Sequence, residues 1–348
     1  MGDTITHISK VEIKGLWGRY DIEWNLSPET NVLAGINGSG KSTILNAVYA
    51  LLNREFDIDE TAMLFDCIAV YVNEVLLAKY RFAKSIDSSL SKLQNDAINQ
   101  KFEKIKEDFD SDKIVGKAYK QIYPGRKFTG FITLSSLLYE LKDYLQIDFI
   151  KTFDVPLKSL EEVRKISSEL VKTDLDAQVH NKGRSYLDYQ INIGKRAFEI
   201  LSKSNSDTKA GVAGVRKTYD SFLQMVDDLF LPTGKKVNRD KNELSFLSGD
   251  EEISACQLSS GEKQLLLILL TVLVQDIKPS ILFMDEPELS LHFDWQKKLI
   301  QYIRELNPNV QVILATHSPA IIMEGWVDKV SEVRDLIVLD RKAPTHAS

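Results

Sequence analysis

Eight consecutive residues, Gly35-Ile36-Asn37-Gly38-Ser39-Gly40-Lys41-Ser42, match the pattern GxxxxGK[ST] without a gap. Glycines let the backbone curl until successive N–H groups point inward, which makes a concave surface for phosphate oxygens. A helix beginning near Lys41 adds the positive end of its dipole. Lys41 brings a mobile cation for β- and γ-phosphates, Ser42 brings a hydroxyl suited to Mg²⁺, and Thr43 follows as the next helix residue. The pattern has chemical meaning only between a strand and a helix. Asn31–Ala34 reads as the strand and Ser42–Leu52 as an apolar helix. Outside that context the same letters would be a glycine-rich turn with a chance lysine.

Three further clusters lie toward the other end of the chain. Ser280-Ile-Leu-Phe-Met-Asp285-Glu286-Pro287-Glu288 reads as a buried strand ending in acids. In open α/β sheets ligands bind at the carboxyl ends of strands, so Asp285 is a candidate for Mg²⁺, directly or through water. Glu286 is then a candidate to orient and deprotonate an attacking water. The plain alternative is an acidic turn after a core strand. Leu258-Ser259-Ser260-Gly261-Glu262-Lys263-Gln264 precedes a long apolar helix. It offers a second anion site, with Ser259 as hydroxyl donor, Ser260 beside it and a close backbone approach at Gly261. The same residues also read as an ordinary helix cap, with Ser259 or Ser260 in that role. Thr316-His317-Ser318 follows a strand at Val310–Ala315, where a histidine can hydrogen-bond a γ-phosphate and report its loss. A lone histidine there also reads as a plain loop residue.

The elements that must hold these residues can be read from periodicity. Ile8–Ile13, Tyr20–Leu26 and Asn31–Ala34 read as strands, and Cys67–Val72 with Val75–Phe82 as a hairpin turning at Asn73-Glu74. Ile98, Phe102, Ile105 and Phe109 recur at helical spacing. So do Val163, Ile166 and Leu170; Tyr186, Tyr189, Ile193 and Ala197; and Phe222, Met225 and Leu229. Phe149–Phe153 looks like a short return to strand. From Glu243 the strand character resumes, with a hairpin at Glu243–Phe246 and Glu252–Ala255. Helices at Gly261–Gln275 and Trp295–Leu306 then alternate with strands at Ser280–Met284, Val310–Ala315 and near Leu336–Leu339, the pattern of a parallel sheet. The expected division is 1–83 and 243–348 as two parts of one α/β head. Between them, 84–242 reads as a helical insertion with a short head strand near 147–155.

Composition narrows the field. The 348 residues are 43% hydrophobic and 27% charged, ordinary for a globular chain with a sizeable core. A net charge of −6 argues against a broadly basic nucleic-acid coat. Cys67 and Cys256 are the two cysteines and lack CxxC spacing, so neither a disulfide framework nor a zinc site is expected. The N-terminus lacks the apolar core of a signal peptide. The longest apolar stretch, Leu265–Val274, is about half of what a bilayer span needs and reads as a buried helix. The expectation is a soluble, cytoplasmic chain. Lys113, Lys117, Lys120, Arg126 and Lys127, with Tyr119 and Tyr123 among them, form either a nucleic-acid patch or a solvated helix face.

Taken in order, Gly35–Ser42, Leu258–Gln264, Asp285–His292 and Thr316-His317-Ser318 resemble the ABC-type ATPases, in the branch with SMC-like, RecF-like and OLD-like members. The resemblance implies an ABC-ATPase head, a mixed sheet with a P-loop core, carrying a helical insertion. It implies ATP as substrate with Mg²⁺, and a head-to-tail homodimer with two ATP molecules between the subunits. Ser259 and Gly261 of one subunit would then touch the γ-phosphate held by Lys41 of the other, and Leu289-Ser290-Leu291-His292 would cross the same interface. Arg19 and Tyr20 sit where such proteins contact the base. Gln146 is the nearest candidate for the Q-loop glutamine, with Thr152 or Asp154 as replacements in function. There is no CxxC apex of the zinc-hook kind, and the stretch after His317 is too short for the TOPRIM nuclease domain of OLD-like proteins. Compact ATPases of this kind resemble the sensing subunits of anti-phage systems, which act with a separate nuclease or toxin; a RecF- or SMC-like role in DNA repair or maintenance is the alternative.

Overall fold

The computed structural model describes residues 6–53, 64–72, 75–84, 114–123, 126–135, 145–151, 171–202 and 208–342, with backbone only for 80–84, 114–135 and 208. The chain divides into two compact units, Met1–Ile147 with Lys329–Ser348, and Asp148–Asp328.

The first unit is built on antiparallel pairing. Strands β1 (Lys10–Leu16), β2 (Tyr20–Asn25), β4 (Cys67–Val72), β5 (Val75–Lys84), β6 (Ile114–Tyr123), β7 (Arg126–Ser135) and β15 (Ile337–Asp340) form one sheet in the order β15-β2-β1-β4-β5-β7-β6. Val11 and Ile13 of β1, and Ile22 and Trp24 of β2, alternate inward, while Lys10 pairs with Glu12 and Glu23 on the other face. Strand β3 (Thr30–Ala34) runs parallel to β14 (Val330–Glu332). Helix α1 (Lys41–Asn53) buries Ile44, Leu45, Val48, Leu51 and Leu52. The β15 edge is fastened by two arginines. Arg19 makes a two-pronged bond to Asp340 at 2.8 and 2.7 Å, and Arg341 reaches Asp21 at 2.7 Å and Asp66 at 2.6 Å.

The second unit holds most of β8 (Gln146–Lys151), then α2 (Asp174–Ser202) and α3 (Thr208–Phe230). A small antiparallel sheet comes next, β9 (Lys235–Val237), β10 (Ser245–Ser248) and β11 (Glu251–Ser254), in the order β11-β10-β9. It leads to α4 (Ser260–Val274), β12 (Ser280–Asp285), α5 (Phe293–Leu306), β13 (Val310–Ala315) and the short α6 (Pro319–Met323). Helix α4 is apolar on every side and buried from Gln264 to Leu273, as a central core helix must be. Strands β12 and β13 pair in parallel, register Ser280 to Val310 through Asp285 to Ala315, and every residue of both is buried. Tyr186 of α2 stacks on Tyr219 of α3 with their hydroxyls 3.0 Å apart.

The fold departs from one sequence expectation. The stretch 84–242 is not helical throughout: β6 and β7 are antiparallel partners, Ile114 opposite Ser135 and Tyr123 opposite Arg126. The solvated-helix reading of 113–127 therefore fails. Ile122 and Tyr123, then Pro124-Gly125, then the β-rich run Phe128–Leu134 make a strand–turn–strand pattern, and these local preferences prevail over the spacing of the lysines. The helical periods at Ile98, Phe102, Ile105 and Phe109 and at Val163, Ile166 and Leu170 lie outside the described residues, as do Asn73-Glu74, Lys113, Thr152, Phe153 and Asp154. Among the described residues no helix is long and apolar enough to cross a membrane.

Candidate functional site

In the first unit, β3 runs into the glycine-rich turn and α1 starts at Lys41. Gly35, Gly38 and Gly40 have φ of 149°, 78° and 100°, values that side chains with a Cβ rarely adopt. Gly40 is doubly required, because a Cβ there would lie 2.7 Å from a ring carbon of Trp17. Ser39 N–H donates to the Ile36 carbonyl at 3.1 Å, which tightens the turn. Lys41, only 5% exposed, folds back so that Nζ donates to the Gly35 carbonyl at 3.1 Å. Its ammonium is thus held over the curl of the loop. The Ser39 hydroxyl lies 2.7 Å from where a Gly35 Cβ would stand and has no hydrogen-bond partner among the described residues. An orphaned donor inside a glycine-lined turn suits an anionic oxygen. Ser42 and Thr43 occupy the first turn of α1. Tyr20 meets Trp17 edge to face, and the Arg19 guanidinium lies 4.6 Å from the Tyr20 ring.

In the second unit, Asp285 ends β12 at 4% exposure, and Glu286, at 9%, turns the chain with φ 49° and ψ 51°. A left-handed glutamate costs roughly 1–3 kcal/mol and persists only where its surroundings hold it. Those surroundings are visible. Glu286 N–H donates to the Ala315 carbonyl at 2.9 Å, one step beyond the β12–β13 ladder. The Glu286 carboxylate accepts the His317 N–H at 3.2 Å and faces His317 Nε2 at 3.3 Å. The strand ends thus bring Glu286 and His317 together, with Asp285 next in the chain.

Two residues that the sequence pattern does not single out complete this turn. Glu288 Oε1 accepts the N–H groups of His317 at 2.8 Å and Ser318 at 3.0 Å, and the Thr316 hydroxyl; Oε2 is buried without a partner among the described residues. Gln296 of α5 donates to the Leu291 and Glu288 carbonyls and accepts the Ser318 hydroxyl at 2.7 Å. Glu288 therefore sets the backbone that carries His317. Only the second acid of the run Glu286-Pro287-Glu288 hints at this in the sequence.

The serine turn is the helix cap anticipated as the plain alternative. Ser259 caps α4 in a reciprocal arrangement: Glu262 N–H donates to Ser259 Oγ at 3.3 Å, and Ser259 N–H donates to Glu262 Oε2 at 2.9 Å. Burial pushes the Glu262 carboxyl up. Lys235, Thr233 and Ser259 outweigh burial and hold it down at about 2. Ser259 and Ser260 are exposed at the helix start. A Cβ on Gly261 would collide with the Ser290 carbonyl, so the glycine is needed for packing against the turn after Glu286.

Among the described residues no three His, Cys, Asp or Glu side chains form a metal cluster. Mg²⁺ keeps several waters and takes one or two protein oxygens plus phosphate. The Ser42 hydroxyl and the Asp285 carboxylate are hard oxygen donors of the right class. Gln146 opens β8, and its Q-loop role has no further geometric support.

A family model described as "AAA domain, putative AbiEii toxin, Type IV TA system" matches residues 30–324. The chain belongs to this AAA-domain family. The match runs from β3 to α6 and so takes in the glycine loop, the Ser259 turn, the two acids and His317. Among relatives, "Retron Vc95 probable ATPase" of Vibrio cholerae is 27% identical over 174 residues, 44% of this chain and 32% of its own length. "Retron Ec83 probable ATPase" of Escherichia coli is 26% identical over 262 residues, 71% of this chain and 45% of its own. The AAA-domain chain thus spans less than half the length of these relatives. A solved SMC head bound to the C-winged helix domain of ScpA aligns with TM-score 0.46 at 16% identity, covering 91% of both chains.

Proposed function

We propose that this AAA-domain chain is a Mg²⁺-dependent ATPase that closes as an ATP-sandwiched homodimer and serves as the ATPase subunit of an anti-phage system with a separate nuclease or toxin. The observation that carries it is the turn from Gly35 to Ser42, with its left-handed glycines and the Lys41 ammonium drawn over it. In this reading residues 35–43 bind ATP, with Lys41 on the β- and γ-phosphates. Ser42 and Asp285 hold Mg²⁺, which would offset phosphate charge when bound. Glu286 accepts a proton from the attacking water, and His317, against that carboxylate, contacts the γ-phosphate. Ser259, Ser260 and Gly261 of the partner subunit complete the site. The segments 1–83 and 243–348 carry the nucleotide-binding residues, β6 and β7 extend the sheet of the first, and α2 and α3 signal to the effector. Relatives named as retron ATPases and a family described by a toxin–antitoxin system support the defence role.

Glu286→Gln tests this directly. The variant should bind ATP as the parent does, release phosphate roughly 100- to 10,000-fold more slowly, and accumulate as a dimer in light scattering with ATP and Mg²⁺. Undiminished phosphate release would remove Glu286 from its role. Turnover stimulated by DNA, and falling with salt, would favour the DNA-maintenance reading instead.

A further inference from the structure

Ser259 is already engaged. Its hydroxyl donates to Glu262 Oε2 at 2.8 Å while accepting the Glu262 N–H at 3.3 Å. A hydroxyl has one proton, so a Ser259 in this state has none to offer a phosphate. To serve an anion it must turn that proton away from Glu262, a carboxylate only 1% exposed. Whether the turn is cheap depends on what else holds the charge. Oε2 would keep the Ser259 N–H at 2.9 Å. Oε1 is held by Lys235 Nζ at 2.9 Å and by the Thr233 hydroxyl at 2.7 Å, the shorter of that hydroxyl's two contacts, the other being the Phe230 carbonyl at 3.0 Å.

Both of these partners come from one corner. Thr233 closes a short 3₁₀ turn after α3, and Lys235 opens β9. The corner is tied to α3, because Val237 N–H donates to Asp227 at 2.6 Å. Lys263, in the same first turn of α4, is anchored too: it pairs with Asp176 at 2.6 Å, at the start of α2. The first turn of α4 is thus linked by ion pairs of opposite polarity to α2 directly and to β9, which the Val237 N–H ties to α3.

Resting on the reading of Ser259 as a phosphate donor, we propose that Thr233 and Lys235 are positioning residues for it. They carry the charge of Glu262 so that the serine hydroxyl can swing from carboxylate to phosphate, and the α3–β9 corner thereby gates the serine turn. Without them Glu262 competes harder for the same proton.

In the full chain, Lys235→Met should leave the affinity for a fluorescent ATP analogue within about twofold while lowering kcat about tenfold, and Thr233→Val should lower kcat about threefold. Lys235→Arg keeps the charge and should restore most of the turnover. Adding Glu262→Gln to Lys235→Met removes the competing charge and should raise kcat to that of Glu262→Gln alone. The proposal is overturned if Lys235→Met turns over like the parent, or if the double variant is no faster than Lys235→Met. Should Lys235→Met not fold by circular dichroism, Thr233→Val with and without Glu262→Gln makes the same comparison, and the same two outcomes overturn the proposal. A parent chain without any ATPase activity strikes the underlying reading and this proposal with it. A parent that turns over while Lys235→Met matches it strikes this proposal alone.

Discussion

The two units reach chemical readiness by opposite means. In the first, the glycine loop is a backbone object: three left-handed glycines and one lysine reaching back to a carbonyl. In the second, the turns at Ser259 and Glu286 are side-chain objects, held by Glu262 and Glu288 from within the turns and by Lys235 and Gln296 from other elements. Backbone objects tolerate almost no substitution at the positions that set their dihedral angles. Side-chain networks are graded, since each member removed leaves the others in place. On the proposed function, the first kind decides whether nucleotide binds and the second adjusts how fast the bound nucleotide reacts.

The sharpest way to break this contrast is Gly40→Ala. A left-handed alanine costs roughly 1–3 kcal/mol, so nucleotide affinity should fall roughly 10- to 100-fold by titration. Trp17→Ala in that background relieves the steric clash but not the dihedral cost, and should recover only part of the loss. Full recovery would mean that the ring, and not the backbone, sets the requirement. Glu288→Gln should act on the other side of the comparison. It weakens the cradle under His317, so kcat should fall about tenfold with nucleotide affinity unchanged. A matching loss of affinity would erase the distinction between the two kinds of turn.

The smallest expected effect is on stability in acid. The Glu262 carboxyl is held at about 2 against an ordinary 4.5, so folding favours its ionised form. Its contribution is complete above about pH 4.5 and is lost as pH falls toward 2. Thermal melting between those values should drop more steeply for the parent than for Glu262→Gln. Parallel slopes would show that the carboxylate is not preferentially stabilised in the fold.

Legibility in the sequence divides along the same line. The loop at Gly35–Ser42 is readable because glycine, lysine and serine must stand at fixed spacing within one turn. Helix α4 and strands β12 and β13 are readable because an apolar run between polar punctuation has few other fates. The partners of Ser259 and His317 are not. Lys235 lies far from Glu262 in sequence, and no local pattern tells which lysine will neutralise a buried acid. Glu288 reads as one more acid in a turn until its three donors are visible. The β6–β7 pair hides behind its lysines, whose spacing suits a solvated helix as well as it suits a strand.

The clasp of Arg19 and Arg341 on β15 has a consequence for biosynthesis. The outer edge of β2 is covered by residues that leave the ribosome only after an entire intervening unit has been made. Until then the nascent N-terminal sheet presents open amide and carbonyl groups to any passing strand. Chaperone occupancy during translation should therefore persist past Ile337 and end once the last arginine meets its two aspartates.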